Sequence, residues 1–263
     1  MKVGIIMPAY NEERRIGSTL SAYSKFLNSK LKKNKFDYTI IVVINGTTDG
    51  TKKIVQSARK KNKRVDYIDL VKGGKGYAII EGFKIALNKK YDLIGFVDAD
   101  MATPPEAFYS LVENIGDSGG IIASRYIKGS IVNPKQIPAR ILASRIFNFI
   151  VRSLFFMPYR DTQCGAKIVR KEALTEIIND LGDTQWSFDI DLLFRLKKNK
   201  IFVKEWPTVW KDQKDSKLNL KKVSVQMFFS ILQLRIMNSP FRRFLKVTKP
   251  IARRLWRLLR SKK

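Results

Sequence analysis

The stretch YTIIVVINGTTDGT, from Tyr38 to Thr51, changes character in the middle. Tyr38–Ile44 is a continuous apolar, β-branched run, the kind of strand buried on both faces in a parallel sheet, where an alternating strand would have one wet face. Asn45-Gly-Thr-Thr-Asp-Gly-Thr51 is then dense in residues that favour turns, and a helix follows to about Arg59. The same unit recurs on both sides. Upstream, the strand Val3–Met7 leads to a helix over Glu12–Lys30, with Ile16, Leu20, Tyr23, Phe26 and Leu27 at helical spacing. Downstream come a strand at Val65–Val71, the loop Lys72-Gly-Gly-Lys-Gly76, a helix to about Leu87 and a strand at Tyr91–Val97. Strand and helix alternating in this way predict an α/β fold with a doubly wound parallel sheet. Beyond it the pattern predicts a strand at Ile121–Ser124, a long helix over Ile137–Met157 carrying Arg140, Arg145 and Arg152, a helix at Ser187–Lys198 and a strand at Ile201–Trp206.

At 263 residues the chain suits one large α/β domain, or a domain plus an appendage, rather than two full domains. Its 51 Lys and Arg against 23 Asp and Glu leave a formal net charge of +28, which calls for a polyanionic partner: nucleic acid, anionic lipid or a phosphorylated substrate. A single cysteine, Cys164, excludes an internal disulfide and a cysteine-rich zinc site. With no histidine, any metal must be held by oxygen, which favours Mg²⁺ or Mn²⁺. The apolar run at the N-terminus is too short for a signal peptide's core and reads as a buried strand. The later apolar stretches, Ile146–Pro158 and Val225–Met237, fall short of the ~20 residues of a spanning helix.

The final segment differs from the rest. After Asp215 no acid remains, and FRRFLKVTKPIARRLWRLLRSKK, Phe241–Lys263, interleaves Arg and Lys with Phe, Leu, Ile and Trp. Such a segment suits helices lying on an anionic membrane surface, broken at Pro250, although a merely solvated basic tail has the same composition. The expected division is a catalytic domain at 1–222 and a basic amphipathic helical segment at 223–263.

In open α/β sheets ligands bind beyond the carboxyl ends of the strands. Four loops carry polar residues there: Pro8-Ala-Tyr-Asn-Glu12, Asn45–Thr51, Lys72–Gly76 and Asp98-Ala-Asp100. Asp98 and Asp100 either cap the helix that starts near Pro104-Pro105-Glu106 or, on extended chain, point the same way and seat a hard cation that leaves positions open for a diphosphate. In the glycine loop the backbone can approach a phosphate while Lys75 supplies charge; the Ser or Thr of a Walker loop is absent. Tyr10, Asn11 and Glu12 fit equally a turn opening a helix. Asp189 and Asp191 are either exposed helix acids or include one contact to a sugar hydroxyl.

Together PAYNE, NGTTDGT, GGKGYA and DAD resemble the GT-A (Rossmann-like) fold of family 2 glycosyltransferases, which take sugar from a nucleotide diphosphate. Ser124-Arg125, Arg140-Ile-Leu-Ala-Ser144, Asp161-Thr-Gln-Cys-Gly165, Trp186–Leu193, Trp210 and Ser216-Lys217-Leu218 narrow the likeness to the dolichyl- and polyprenyl-phosphate transferases, nearer the glucosyl than the mannosyl branch, over about residues 2–237. The resemblance implies inverting transfer of a hexose from UDP-glucose, UDP-N-acetylglucosamine or GDP-mannose to a polyprenyl phosphate, by a peripheral protein on the cytoplasmic face of a membrane. It places Pro8, Ala9, Tyr10, Glu12, Asn45, Asp49, Lys75, Asp98, Ala99 and Asp100 around the donor, with Asp98 and Asp100 holding Mg²⁺ or Mn²⁺. It gives the acceptor phosphate to Arg125, Arg140, Ser144 and Lys217, and the chemistry to Asp100, Arg125, Arg140, Ser144, Asp189 and Asp191. Two positions depart from the pattern: Ile44-Asn45 stands where the family often has two acids, and Ala102 where mannose synthases often carry a metal-binding Gln. The competing readings are a family 2 transferase acting on a polysaccharide or protein, and a basic nucleic-acid-binding protein, for which no recognition module is visible.

Overall fold

The structure, a computed structural model, describes residues 1–31, 35–134, 138–182, 187–211 and 220–239. The chain forms two compact units, Met1–Lys217 and Leu218–Lys263. The expected basic helices of Phe241–Lys263, and Lys217, lie outside the described residues.

The first unit is built on a seven-stranded sheet in the order β3-β2-β1-β4-β7-β5-β8. Its strands are β1 (Lys2–Ala9), β2 (Asp37–Asn45), β3 (Val65–Leu70), β4 (Leu93–Val97), β5 (Gly120–Ser124), β7 (Ala166–Arg170) and β8 (Val203–Pro207). A parallel pair, β6 (Ile131–Val132) and β9 (Val209–Trp210), stands apart from it. Helices α1 (Ile16–Lys30), α2 (Thr51–Lys61), α3 (Lys75–Leu87), α4 (Pro105–Asn114), α5 (Pro138–Phe155), α6 (Lys171–Ile177) and α7 (Phe188–Lys198) complete the unit. Within β2, Ile40 to Asn45 are all buried, as a strand covered on both faces requires. One layer packs Ile5, Ile40 and Val42 with Leu20, Tyr23 and Val55. On the other, Phe83 of α3 and Phe188 of α7 each meet Phe96 of β4 edge-on and meet one another at a tilt.

The expected mostly parallel sheet is present, with one exception. β7 enters between β4 and β5 and runs antiparallel to both. The sequence reading passes over it because the five-residue strand has Lys167 inside it and Arg170 at its end, which breaks the apolar run. The strand order also fixes where ligands belong. The chain lays β1, β2 and β3 outward in one direction and then returns to set β4 beside β1, so the carboxyl ends of β1 and β4 flank a topological switch point. Pro8–Glu12 leaves one of those ends and Asp98–Asp100 the other.

The second unit contributes α8 (Leu220–Met237). Among the described residues no helix is long and apolar enough to cross a membrane.

Candidate active site

The loops beyond β1, β2 and β3 are bonded to one another. Asn11, at φ 52°, accepts from the Thr48 amide (2.9 Å), and its own amide donates to Thr47 Oγ1 (3.4 Å). The Glu12 amide donates to Thr51 Oγ1 (2.8 Å), and the Glu13 amide to Asp49 Oδ2 (3.1 Å). Asp49 also accepts from the amide and hydroxyl of Thr51 (3.0 and 2.6 Å). Its carboxylate therefore ties the first loop to the start of α2, and those bonds outweigh burial to hold its carboxyl below the usual range. Asn45, expected at the donor, is instead buried. With its amide oriented to suit its neighbours, Nδ2 donates to the Ala9 carbonyl (2.7 Å) and Oδ1 accepts from Gly74 N (3.1 Å). It braces the glycine loop, where Gly74 at φ 135° occupies backbone space that only glycine enters readily. Ala9 and Ala99 are buried in the core, and Tyr10 is 57% exposed.

That brace sets Lys75, the first residue of α3, against the fourth loop. Its Nζ lies 2.5 Å from Asp98 Oδ1. Burial works against the ammonium, but Asp98, then Asp189, outweigh it and hold Lys75 well above its ordinary value. Asp98 and Asp100 do not sit on extended chain, as expected, and neither caps α4, whose N-cap is Pro104. The chain turns after Val97, Met101 takes φ 63°, and Asp100 Oδ1 accepts from Ala102 N (2.9 Å). The two carboxylates still share one space. Burial, then the charge on Asp98, raises the Asp100 carboxyl above the usual range. Glu12 borders the same space: burial raises it, Arg15 opposes with a bidentate bridge (2.7 Å at each oxygen), and Asp100 and Asp98 add to the rise.

Gly165 forms the wall behind Asp98. Its carbonyl accepts from Asp98 N (3.2 Å), and a Cβ there would collide with Asp98 Oδ2. Gly165→Ala is expected to displace that carboxylate and cost at least ~100-fold in turnover while the folded protein survives; a displacement near 1 Å suffices for such a loss. Wild-type turnover in the alanine variant would remove Asp98 from the site.

Two of the residues expected at the acceptor, Arg125 and Ser144, meet in a second cluster through Tyr126. Arg125, after β5, gives Asp161 a bidentate bridge (Nε to Oδ2 2.7 Å, Nη2 to Oδ1 2.9 Å) and a third bond from its amide (3.0 Å). Burial works against both charges, yet the pairing dominates: Asp161 sits below the usual carboxylate range and Arg125 above its own. Two of the five guanidinium N–H donors are thereby committed, so the whole fork does not face a phosphate as expected. The guanidinium also lies 5.2 Å from the rings of Tyr126 and Trp210. Tyr126 Oη donates to Ser144 Oγ (2.7 Å), which joins the Arg125 cluster to α5 and to Arg140 one turn earlier on that helix. Asn148 holds the loop before β7 to α5, accepting from the amide and hydroxyl of Thr162 (2.9 and 2.8 Å).

The two acids of α7 part company. Residues i and i+2 diverge by about 200° around a helix. Asp189 pairs with Lys167 Nζ (2.5 Å). Asp191 faces the interior, accepting from Arg195 Nε (3.0 Å) and Gly182 N (2.8 Å). Asp191, expected in the chemistry, is buried, and its carboxylate pins residue 182 to α7. Sequence reasoning also missed Lys167, Asp161 and Tyr126. Asp161 lay within a recognised motif, but nothing in the sequence named its partner 36 residues away.

Residues 4–178 match the family model described as Glycosyl transferase family 2. The chain is 34% identical over 244 residues to a dolichyl-phosphate beta-glucosyltransferase of Dictyostelium discoideum, covering 89% of this chain and 73% of that one. It is 31% identical over 230 residues to the Homo sapiens dolichyl-phosphate beta-glucosyltransferase, covering 82% and 69%. Among solved structures, glucosyl-3-phosphoglycerate synthase from Mycobacterium tuberculosis, in complex with UDP, superposes with a TM-score of 0.63 at 18% identity, covering 89% of this chain and 80% of that one. The same enzyme has been solved with UDP and Mn²⁺ or Mg²⁺.

Proposed function

Because the chain belongs to glycosyl transferase family 2, we propose that it transfers glucose from a nucleotide-diphosphate sugar to dolichyl or another polyprenyl phosphate, leaving a β-linked lipid-phosphate sugar. The observation that carries this reading is the likeness to dolichyl-phosphate glucosyltransferases over nearly the whole chain. Asp98, Asp100 and Lys75 stand at the switch point where such a donor would bind.

A divalent cation fits the donor set. Among the described residues no group of three or more His, Cys, Asp or Glu is placed to hold a metal, so the protein offers two carboxylates, Asp98 and Asp100. Mg²⁺ and Mn²⁺ are commonly held by one or two carboxylates with the remaining positions filled by substrate phosphates. Bound there, the cation would neutralise charge on the departing diphosphate. Lys75 adds a fixed positive charge beside the same carboxylates.

The acceptor phosphate is ionised near neutral pH, so no protein base is required and the lack of histidine is no obstacle. An acceptor oxygen forms the new bond to the anomeric carbon as the bond to the donor's β-phosphate breaks, and that electron pair leaves with the nucleoside diphosphate. One displacement inverts the anomeric centre. Arg140 and Ser144, with Arg125 behind Tyr126, orient the acceptor phosphate, and alignment supplies most of the rate.

Helix α5 supports a lipid acceptor. Leu142, Ile146 and Phe149, spaced along one face, are 51–67% exposed, and Arg145 and Arg152 are exposed beside them. An apolar face edged by Arg suits an anionic membrane interface, the cytoplasmic leaflet included. Substituting both Ile146 and Phe149 with Ser is expected to weaken binding to anionic liposomes by about tenfold or more, given ~1.5–3 kcal/mol per fully buried large apolar side chain. Unchanged sedimentation would count against the helix as a contact.

The deciding assay offers radiolabelled UDP-glucose, UDP-N-acetylglucosamine and GDP-mannose in turn, each with a polyprenyl phosphate and Mn²⁺, and extracts the lipid. Label from UDP-glucose is expected. No lipid-linked label from any donor overturns the reading and favours a polysaccharide or protein acceptor.

A further inference from the structure

Lys167 has no part in the transfer described above, and its position is costly. It lies inside the seven-stranded sheet on β7, its side chain is 0% exposed, and its cross-strand partner on β4 is Phe96. A buried ammonium is tolerated when it is paired and hydrogen-bonded. Lys167 Nζ donates to Asp189 Oδ1 (2.5 Å) and to the Cys164 carbonyl (2.7 Å). A merely structural filler is served at least as well by an apolar side chain of similar volume.

The surroundings connect this pair to the donor cleft. Phe96 lies 5.4 Å from the Lys167 ammonium and 5.9 Å from that of Lys75. Asp98 follows Phe96 by two residues, and its amide bonds to Gly165, two residues before Lys167. Both ammonium groups thus stand by the one Phe96 ring, each with its own carboxylate, Asp98 for Lys75 and Asp189 for Lys167. The charges therefore alternate from the cleft into the sheet: Asp98, Lys75, Asp189, Lys167.

We infer that Lys167 is a positioning residue for the donor: it fixes Asp189, and Asp189 and Asp98 together set where the Lys75 ammonium stands against the diphosphate. This rests on the nucleotide-sugar reading above. Without Lys167 the Asp189 carboxylate keeps Lys75 as the remaining cation of that series, and draws it away from Asp98.

The test is equilibrium titration with UDP and with GDP in the presence of Mn²⁺ and without acceptor, on the wild type, Lys167→Met, Lys75→Met and the double variant. Lys167→Met is expected to weaken binding of the preferred nucleotide about fivefold or more, and the same change on the Lys75→Met background to shift it less than about twofold, because coupled residues are non-additive. A loss of packing alone would weaken both backgrounds by the same factor. Equal factors, or an unshifted Lys167→Met, overturn the inference. Should Lys167→Met fail to fold by near-ultraviolet circular dichroism, Asp189→Asn breaks the same link from its partly exposed end and carries the same expected and overturning results. A wild type that binds neither nucleotide sinks the sugar-nucleotide reading along with this one; firm wild-type binding with additive variants sinks only this one.

Discussion

Asp100→Asn is expected to abolish transfer and, in the absence of metal, to make the protein more resistant to heat. The loss of activity follows from the donor set, since the variant leaves Asp98 as the one charged carboxylate of the pair, and that one is already in contact with Lys75. Mutations that remove a single electrostatic contact to developing charge commonly cost ~10²–10³ in rate; losing the cation as well takes turnover to background. The gain in stability follows from the raised carboxyl. Burial and Asp98 make Asp100 harder to ionise in the folded chain than in the unfolded one. The folded state then binds the extra proton, so this group's contribution to stability falls as pH rises from the ordinary carboxylate value through the raised one. Above the raised value the ionised Asp100 weakens the metal-free fold, and the neutral amide, which can still accept from Ala102 N, relieves it. Extracted lipid product and melting curves in chelator read the two effects. Near-normal turnover with Mn²⁺ removes the metal assignment.

Asp161→Ala is expected to be the most destabilising single change, about 3–5 kcal/mol, because it leaves the buried Arg125 guanidinium without its counter-charge. The side chains are 0% exposed for Asp161 and 11% for Arg125, so water does little to screen the loss. The carboxyl is depressed in the folded state, which gives the opposite sign to Asp100. Its stabilisation is present above the ordinary carboxylate value and disappears as pH falls through the depressed one. The wild type should thus lose stability more steeply than the variant on acidification below the ordinary carboxylate range. Urea unfolding against pH checks both statements; a variant within 1 kcal/mol of wild type would falsify the view of this pair as the brace beneath the acceptor cluster.

Much of the donor side was legible in the sequence. Burial imposes local patterns, so the apolar run of β2 and the loops ending β1, β3 and β4 could be read one segment at a time. The sheet's order then brought those loops together. The bracing bonds of Asn45 and Asp191 were not legible, because a polar residue at a strand end or on a helix reads alike whether it meets ligand or braces a neighbour. Strand β7 was missed because Lys167 interrupts the pattern that marks a strand.

The sequence by itself determined the α/β alternation and the loops at the carboxyl ends of the strands, since both rest on residue type and spacing along the chain, and its motifs carried the family resemblance. Only the tertiary structure decided which charges meet. Arg125 finds Asp161, Lys167 finds Asp189 and Lys75 finds Asp98 across 36, 22 and 23 positions respectively. The sign of a side chain names no partner. The partners are fixed when the strands take their order in the sheet, and the low-dielectric interior then makes the buried pairings, or their loss, matter.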